Sequence, residues 1–168
     1  MKAVFLDKDG TLVVNVPRNT DPDKVQLTDG AREAVRMFAD AGYRVIVASN
    51  QPGFGPADMA GIERRLRELG IALDGFYCCF HEKGDSCQCR KPAAGLLRRA
   101  AHEHGVDLNE SWMVGDILDD VEAGHRAGCR AVLIDNGNET EWHMAPERVP
   151  DGIASDLAEA ARLICGET

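Results

Sequence analysis

No run of apolar residues approaches the length needed to cross a bilayer. A membrane-spanning helix is therefore excluded as the organising element. Positive charge is also scarce. Nineteen Lys and Arg stand against 28 Asp and Glu, a formal net charge of -9 at pH 7. Nucleic acid calls for a basic surface, so that class of partner is not expected. A phosphate-bearing ligand is compatible with such acidity only if a bound cation and a few local Lys or Arg neutralise its site. Internal repeats, low-complexity stretches and linkers are absent too, which argues against a solenoid or a string of domains. The N-terminal stretch lacks the layout of a secretory signal, because Lys2 is soon followed by Asp7 and Asp9. The cytoplasm is the expected location. With no obvious apolar surface patch, a monomer is expected.

The 168 residues suffice for one domain, 1–168, with a substantial core. Its first apolar run, Ala3-Val4-Phe5-Leu6, leads straight into Asp7-Lys8-Asp9-Gly10-Thr11. A short run of β-formers halted by glycine reads as a strand, and one apolar throughout as a strand covered on both faces. Val13 to Thr28 is polar, carries Pro17 and Pro22, and reads as a long loop. Helical spacing follows over Asp29 to Ala41, then a strand from Tyr43 ending at Ser49-Asn50-Gln51, then the glycine-rich Pro52–Pro56. Ala57 to Leu69 is a second amphipathic helix, and Phe76–Phe80 a short strand. Pro92 is expected to open a third helix, since proline fits a first helical turn. Trp112–Val114 is a strand stopped by Gly115-Asp116, and Asp119 to Ala127 a helix. Ala131–Asp135 is a strand, 136–152 reads as irregular, and Ser155 is expected to cap a last helix. Strand and helix alternate throughout. An α/β fold follows, a parallel sheet with helices on both faces.

In such a sheet the strand ends share one edge, where ligands bind. Four polar signals fall at that edge or at a helix start: Asp7/Asp9, Ser49/Asn50, Lys91 and Asp116/Asp120. Asp7, Asp9 and Asp116 offer the hard oxygen ligands that suit Mg²⁺. Ser49 and Lys91 suit a phosphoryl group, one as a neutral donor and the other as a point charge. Asp7 is free to act as a nucleophile, as carboxylates do in aspartyl-phosphate chemistry. Of the two following acids, Asp120 is favoured as support for the site and Asp119 as a helix cap.

The order Asp-x-Asp-Gly-Thr, Ser-Asn, Lys, Gly-Asp-x-x-x-Asp resembles the haloacid dehalogenase (HAD) superfamily of phosphohydrolases, over nearly the whole chain. The resemblance implies a Rossmann-like sheet and a Mg²⁺-dependent phosphoric monoester hydrolase. Asp7 would attack phosphorus. Asp9 would protonate the leaving oxygen and then activate water. Ser49 and Lys91 would hold the phosphoryl group, and Asp116 would complete the Mg²⁺ site.

Cysteine is concentrated in one place: four of six lie between Cys78 and Cys89. Cys79-Phe80-His81 and Cys87-Gln88-Cys89 pair soft ligands at i and i+2, which point to one side of an extended chain. Across the loop 82–86 they can close a tetrahedral Cys₃His zinc site; four protein ligands make it structural. Cys78 is an alternative to Cys79, though its side chain should face the other way. The zinc loop, about 78–91, runs directly into Arg90 and Lys91 and would position them.

With this cluster the chain resembles the histidinol-phosphate and heptose-bisphosphate phosphatase branch, whose members lack a large cap. That implies D-glycero-D-manno-heptose 1,7-bisphosphate as substrate, with Arg90 on the second phosphate or a sugar hydroxyl. Histidinol phosphate or another small monophosphate is the alternative, and a zinc-stabilised binding module the non-enzymatic one. Two departures remove positive charge near the site. The family's Ser-Gly and downstream Arg are replaced by Pro52-Gly53-Phe54-Gly55-Pro56, and its lysine after Gly-Asp by Ile117.

Overall fold

The structure, a computed structural model, describes residues 1–166. Six parallel strands form one sheet in the order β3-β2-β1-β4-β5-β6. They are β1 (Lys2–Leu6), β2 (Tyr43–Asn50), β3 (Gly75–Cys79), β4 (Trp112–Gly115), β5 (Arg130–Ile134) and β6 (Gly152–Ala154). The helices are α1 (Ala31–Asp40), α2 (Pro56–Glu68), α3 (Gly95–His104), α4 (Leu118–Ala127) and α5 (Leu157–Cys165). Among the described residues no helix is long and apolar enough to cross a membrane.

The apolar first run lies at the centre of this order. Alternate side chains of β1 enter opposite layers, as the two-residue period of a strand requires. Val4 and Leu6 pack with Phe38 of α1, Ile62 and Leu66 of α2, and Leu157 of α5. Ala3 and Phe5 pack with Leu96 and Leu97 of α3 and Leu118 and Val121 of α4. Each fully buried Leu or Phe contributes about 1.5–3 kcal/mol, so both layers clamp β1. Its neighbours are β2 on one side and β4 on the other, so the chain order reverses at β1, where a crevice opens past the strand ends.

Three local expectations are corrected. The stretch 136–152 is irregular except for a 3-10 turn over Pro146–Arg148 and its end, where Gly152 opens β6. That three-residue edge strand is joined to β5 by Asp135 N–H to Ala154 O (2.8 Å), with Asp151 N–H to Ala131 O (2.8 Å) beside it. It is too short to carry a periodic signal. Helix α3 starts at Gly95 rather than Pro92, because the chain first makes a turn closed by Ala93 N–H to Arg90 O (2.9 Å). Asp156, not Ser155, caps α5: its carboxylate accepts the Glu159 N–H at 2.8 Å.

Candidate active site

The carboxyl end of β1 delivers Asp7, whose N–H donates to Val114 O at 3.0 Å and fixes it beside β4. The chain then turns tightly. Leu12 and Val13 N–H both donate to Lys8 O at 3.0 Å. Gly10 holds the left-handed conformation, with φ of 85°. A Cβ there would lie 2.2 Å from Asp116 Oδ2, so only glycine lets this loop approach the Asp116 carboxylate.

From β2 come Ser49 and Asn50. The Asn50 side chain grips the backbone of Lys91 in both directions, donating to its carbonyl (3.1 Å) and accepting from its N–H (3.0 Å). Lys91, only 3% exposed, then sends its ammonium into the crevice. There Nζ donates to Asp7 Oδ1, Asp120 Oδ1 and the Ala48 carbonyl, each at 2.7 Å. All three ammonium protons are used. Burial works against this cation, but Asp120 and Asp7 outweigh it and hold its pKa above the ordinary lysine value.

Asp7, Asp116 and Asp120 bring carboxylate oxygens within 4.8 Å of one another. Burial first, then Asp7 and Asp120, push Asp116 up to about 8. Burial and Asp7 push Asp120 up to about 7 against the pull of Lys91. Three carboxylates face one ammonium, leaving two excess negative charges when all are ionised. A hard divalent cation with oxygen ligands fits that deficit. Asp9 lies outside the trio. Its carboxylate accepts from Lys8 Nζ (2.6 Å) and Gln51 Nε2 (2.8 Å) and faces the same cleft. Gln51 also donates to Ser49 Oγ at 2.7 Å, which leaves the serine proton for another acceptor. The cleft, about 360 Å³, is lined by Asp7, Asp9, Asn50, Arg90, Lys91 and Asp116 among others. A larger groove of about 830 Å³ against edge strand β3 lies away from this convergence and lacks the carboxylates.

The two acids after Ile117 separate cleanly. Asp120 holds Lys91 and also accepts the Ile117 N–H at 3.3 Å, so it serves both the site and the start of α4. Asp119 is not the cap; it pairs with Arg148 at 3.1 Å.

The soft ligands also gather. Cys79 Sγ lies 3.3 Å from His81 Nδ1, 3.0 Å from Cys89 Sγ and 3.9 Å from Cys87 Sγ, and His81 Nδ1 lies 3.2 Å from Cys89 Sγ. Sulfurs around a tetrahedral zinc stand about 3.8 Å apart, so a small outward movement admits the ion. Burial, then Cys89, push the Cys79 thiol up to about 12. A coordinated cation would reverse that by stabilising the thiolates. Cys78 packs into the opposite layer, so of the two adjacent cysteines it is Cys79 that gathers with His81, Cys87 and Cys89. Arg90, next after the cluster, makes one long contact, Nη1 to His81 O at 3.4 Å, and lines the cleft.

Sequence reasoning missed Gln51, Asn136 and Asn138. Gln51 directly follows the Ser-Asn pair, which was the available signal. Asn136 donates to Gly10 O (2.9 Å) and Asn138 to Asp116 Oδ2 (2.7 Å), from a segment without a local pattern.

A parallel sheet with a carboxylate-bearing loop at its switch point, a carboxylate trio and a buried lysine is the arrangement of an α/β-fold enzyme of the phosphoryl-transfer type. The HAD-hydrolase-like family model matches residues 88–160. D-glycero-β-D-manno-heptose-1,7-bisphosphate 7-phosphatase of Bordetella bronchiseptica is 33% identical, over 99% of this chain and 99% of that protein. The enzyme of the same name from Pseudomonas aeruginosa is 35% identical over 94% of each. The crystal structure of the B. bronchiseptica D,D-heptose 1,7-bisphosphate phosphatase with magnesium and phosphate superposes with a TM-score of 0.84, at 30% identity over 98% of each chain. The chain belongs to this family of HAD-like phosphatases and is a phosphoric monoester hydrolase.

Proposed function

We propose that the chain is a Mg²⁺-dependent sugar-phosphate phosphatase that removes the 7-phosphate of D-glycero-D-manno-heptose 1,7-bisphosphate through an aspartyl-phosphate at Asp7. The observation that carries this reading is the Lys91 ammonium, buried against both Asp7 and Asp120 at 2.7 Å. Lys91 holds Asp7 Oδ1, which leaves Oδ2 to attack phosphorus. As that bond forms, the bond to the sugar oxygen breaks, and Asp9 donates a proton to the leaving oxygen. Asp9 then takes a proton from a water as the water oxygen bonds to phosphorus and the bond from phosphorus to Asp7 Oδ2 breaks, which releases phosphate and restores the Asp7 carboxylate. Ser49, Asn50 and Lys91 orient the phosphoryl group and counter its charge. Mg²⁺, with Asp7 and Asp116 as side-chain ligands, would draw charge from the transferring group. The geometry of Asp9, paired with Lys8 and Gln51, favours the proton-transfer role over direct metal ligation.

The second phosphate requires cations that Ile117 and the Pro52–Pro56 loop do not provide. Arg90 lines the cleft, and Lys83 lines the adjoining cavities, so the zinc loop can provide them. Phosphate release from the heptose bisphosphate with Mg²⁺ tests this directly, with Arg90→Ala alongside. Turnover by the parent and a raised KM in the variant are expected. Faster turnover of histidinol phosphate or other monophosphates would favour the one-phosphate reading that Ile117 suggests.

Cys79, His81, Cys87 and Cys89 would hold a structural Zn²⁺. Cys87→Ser should lose zinc and lower activity on the order of 10-fold or more, because Arg90 and Lys91 follow the cluster directly. Metal analysis together with the phosphatase assay reads both effects. Zinc retained at one per chain would remove Cys87 from the ligand set. As a cytoplasmic monomeric enzyme the chain would act on a small phosphorylated metabolite, with no nucleic-acid or membrane partner.

A further inference from the structure

We infer that the turn after β5, Asn136–Glu139, is a positioning element for the carboxylate trio, and that Asn138 sets the orientation of Asp116 for a divalent cation. The inference rests on the Mg²⁺ reading above.

One short turn touches each of the three segments that carry the trio. Asn136 Nδ2 donates to Gly10 O at 2.9 Å, on the loop that follows Asp7. Asn138 Nδ2 donates to Asp116 Oδ2 at 2.7 Å. Glu139 Oε2 accepts the Leu118 N–H at 2.7 Å, at the start of the helix that carries Asp120. Within the turn Asn138 N–H donates to Asn136 Oδ1 at 3.2 Å, and just past it Glu141 N–H donates to Glu139 Oε1 at 2.8 Å, so its polar groups are braced.

The chemistry suits positioning rather than neutralisation. An aspartate carboxyl rotates freely unless an oxygen is held. The Asn138 amide holds Oδ2 and leaves the other oxygen available to a cation. Being neutral, it fixes the orientation without cancelling charge that the cation needs, as a lysine at this place would. Gly10 completes the arrangement. A Cβ there would lie 2.6 Å from Asn138 Nδ2 as well as 2.2 Å from Asp116 Oδ2, so the missing side chain is the gap through which Asn138 reaches its acceptor. Asn136, Gly137 and Asn138 are themselves exposed, so core packing does not explain these contacts.

The test is Mg²⁺ titration by calorimetry on the intact chain without substrate, for the parent, Asn138→Ala and Asn136→Ala. Thermal unfolding of each metal-free protein is measured in parallel. Asn138→Ala should weaken Mg²⁺ binding about 10- to 100-fold, the scale of lost support for a metal ligand, with the metal-free unfolding midpoint unchanged. Raising Mg²⁺ should restore kcat, while KM for substrate stays at the parent value. Asn136→Ala should weaken binding less, since it acts through the Gly10 backbone. If Asn138→Ala does not fold, Asn138→Ser carries the same comparison. Unchanged Mg²⁺ affinity in a folded Asn138 variant overturns the inference, whether or not the unfolding midpoint falls. Failure of the parent to bind Mg²⁺ would instead overturn the Mg²⁺ reading on which it rests.

Discussion

Replacing Lys91 with methionine should cost about 3–5 kcal/mol of folding stability and stop turnover, because it removes one partner from a buried ion pair and strands the others. Methionine fills much of the same volume, so the loss reports charge and hydrogen bonding rather than a cavity. Asp7, Asp120 and the Ala48 carbonyl each lose a 2.7 Å donor in a site that water hardly reaches. The penalty should depend on pH. Asp116 and Asp120 already titrate near 8 and 7, above the ordinary carboxyl value, in the metal-free protein. Between about pH 4 and those values the folded state binds more protons than the unfolded state, so stability falls as pH rises. Without Lys91, whose charge and hydrogen bond hold Asp120 down, Asp120 should move further up. Urea unfolding in EDTA should therefore find Lys91→Met closest to the parent near pH 4–5 and furthest from it above pH 8. An equal difference at both ends would show that the stranded carboxylates are not the cause.

Asp7→Asn should lower phosphate release by at least on the order of 10⁴-fold, the scale for loss of a covalent nucleophile. Its effect on stability should be the opposite of the lysine change. The Asp7 charge helps push up both Asp116 and Asp120, so neutralising it relieves repulsion within the trio. Metal-free Asp7→Asn should unfold no more easily than the parent, and its zinc content should be unchanged. A fall in zinc would mean that the two clusters are not independent, although they lie on different segments, the carboxylates past β1 and β4 and the soft side chains at and past the end of β3.

The residues proposed to carry the chemistry were legible because each follows a strand or opens a helix in a short, recognisable pattern. Asp7 sits after a run apolar enough to need cover on both faces, and the structure places that run at the sheet centre. Lys91 was readable from its place after the cysteine cluster, though not its three acceptors. The Cys78 and Cys79 ambiguity needed only strand alternation, which puts them in opposite layers. What escaped is long-range or too short to be periodic. Asn136 meets Gly10 across 126 positions, and nothing near either residue announces the pairing. Strand β6 has three residues and draws its bonds from β5 rather than from its own composition. The Ser155 and Asp156 choice turned on a one-residue shift in where α5 begins, which local preference alone does not resolve.

Covalent catalysis at Asp7 is tested most directly by trapping. Enzyme, Mg²⁺ and heptose bisphosphate are mixed, quenched in acid within one turnover, and digested for mass spectrometry. A phosphoryl group on the peptide carrying Asp7, absent in Asp7→Asn and lost when turnover is allowed to finish, is the expected result. Phosphate release at full rate with the Asp7 peptide unmodified, or in Asp7→Asn, would contradict it.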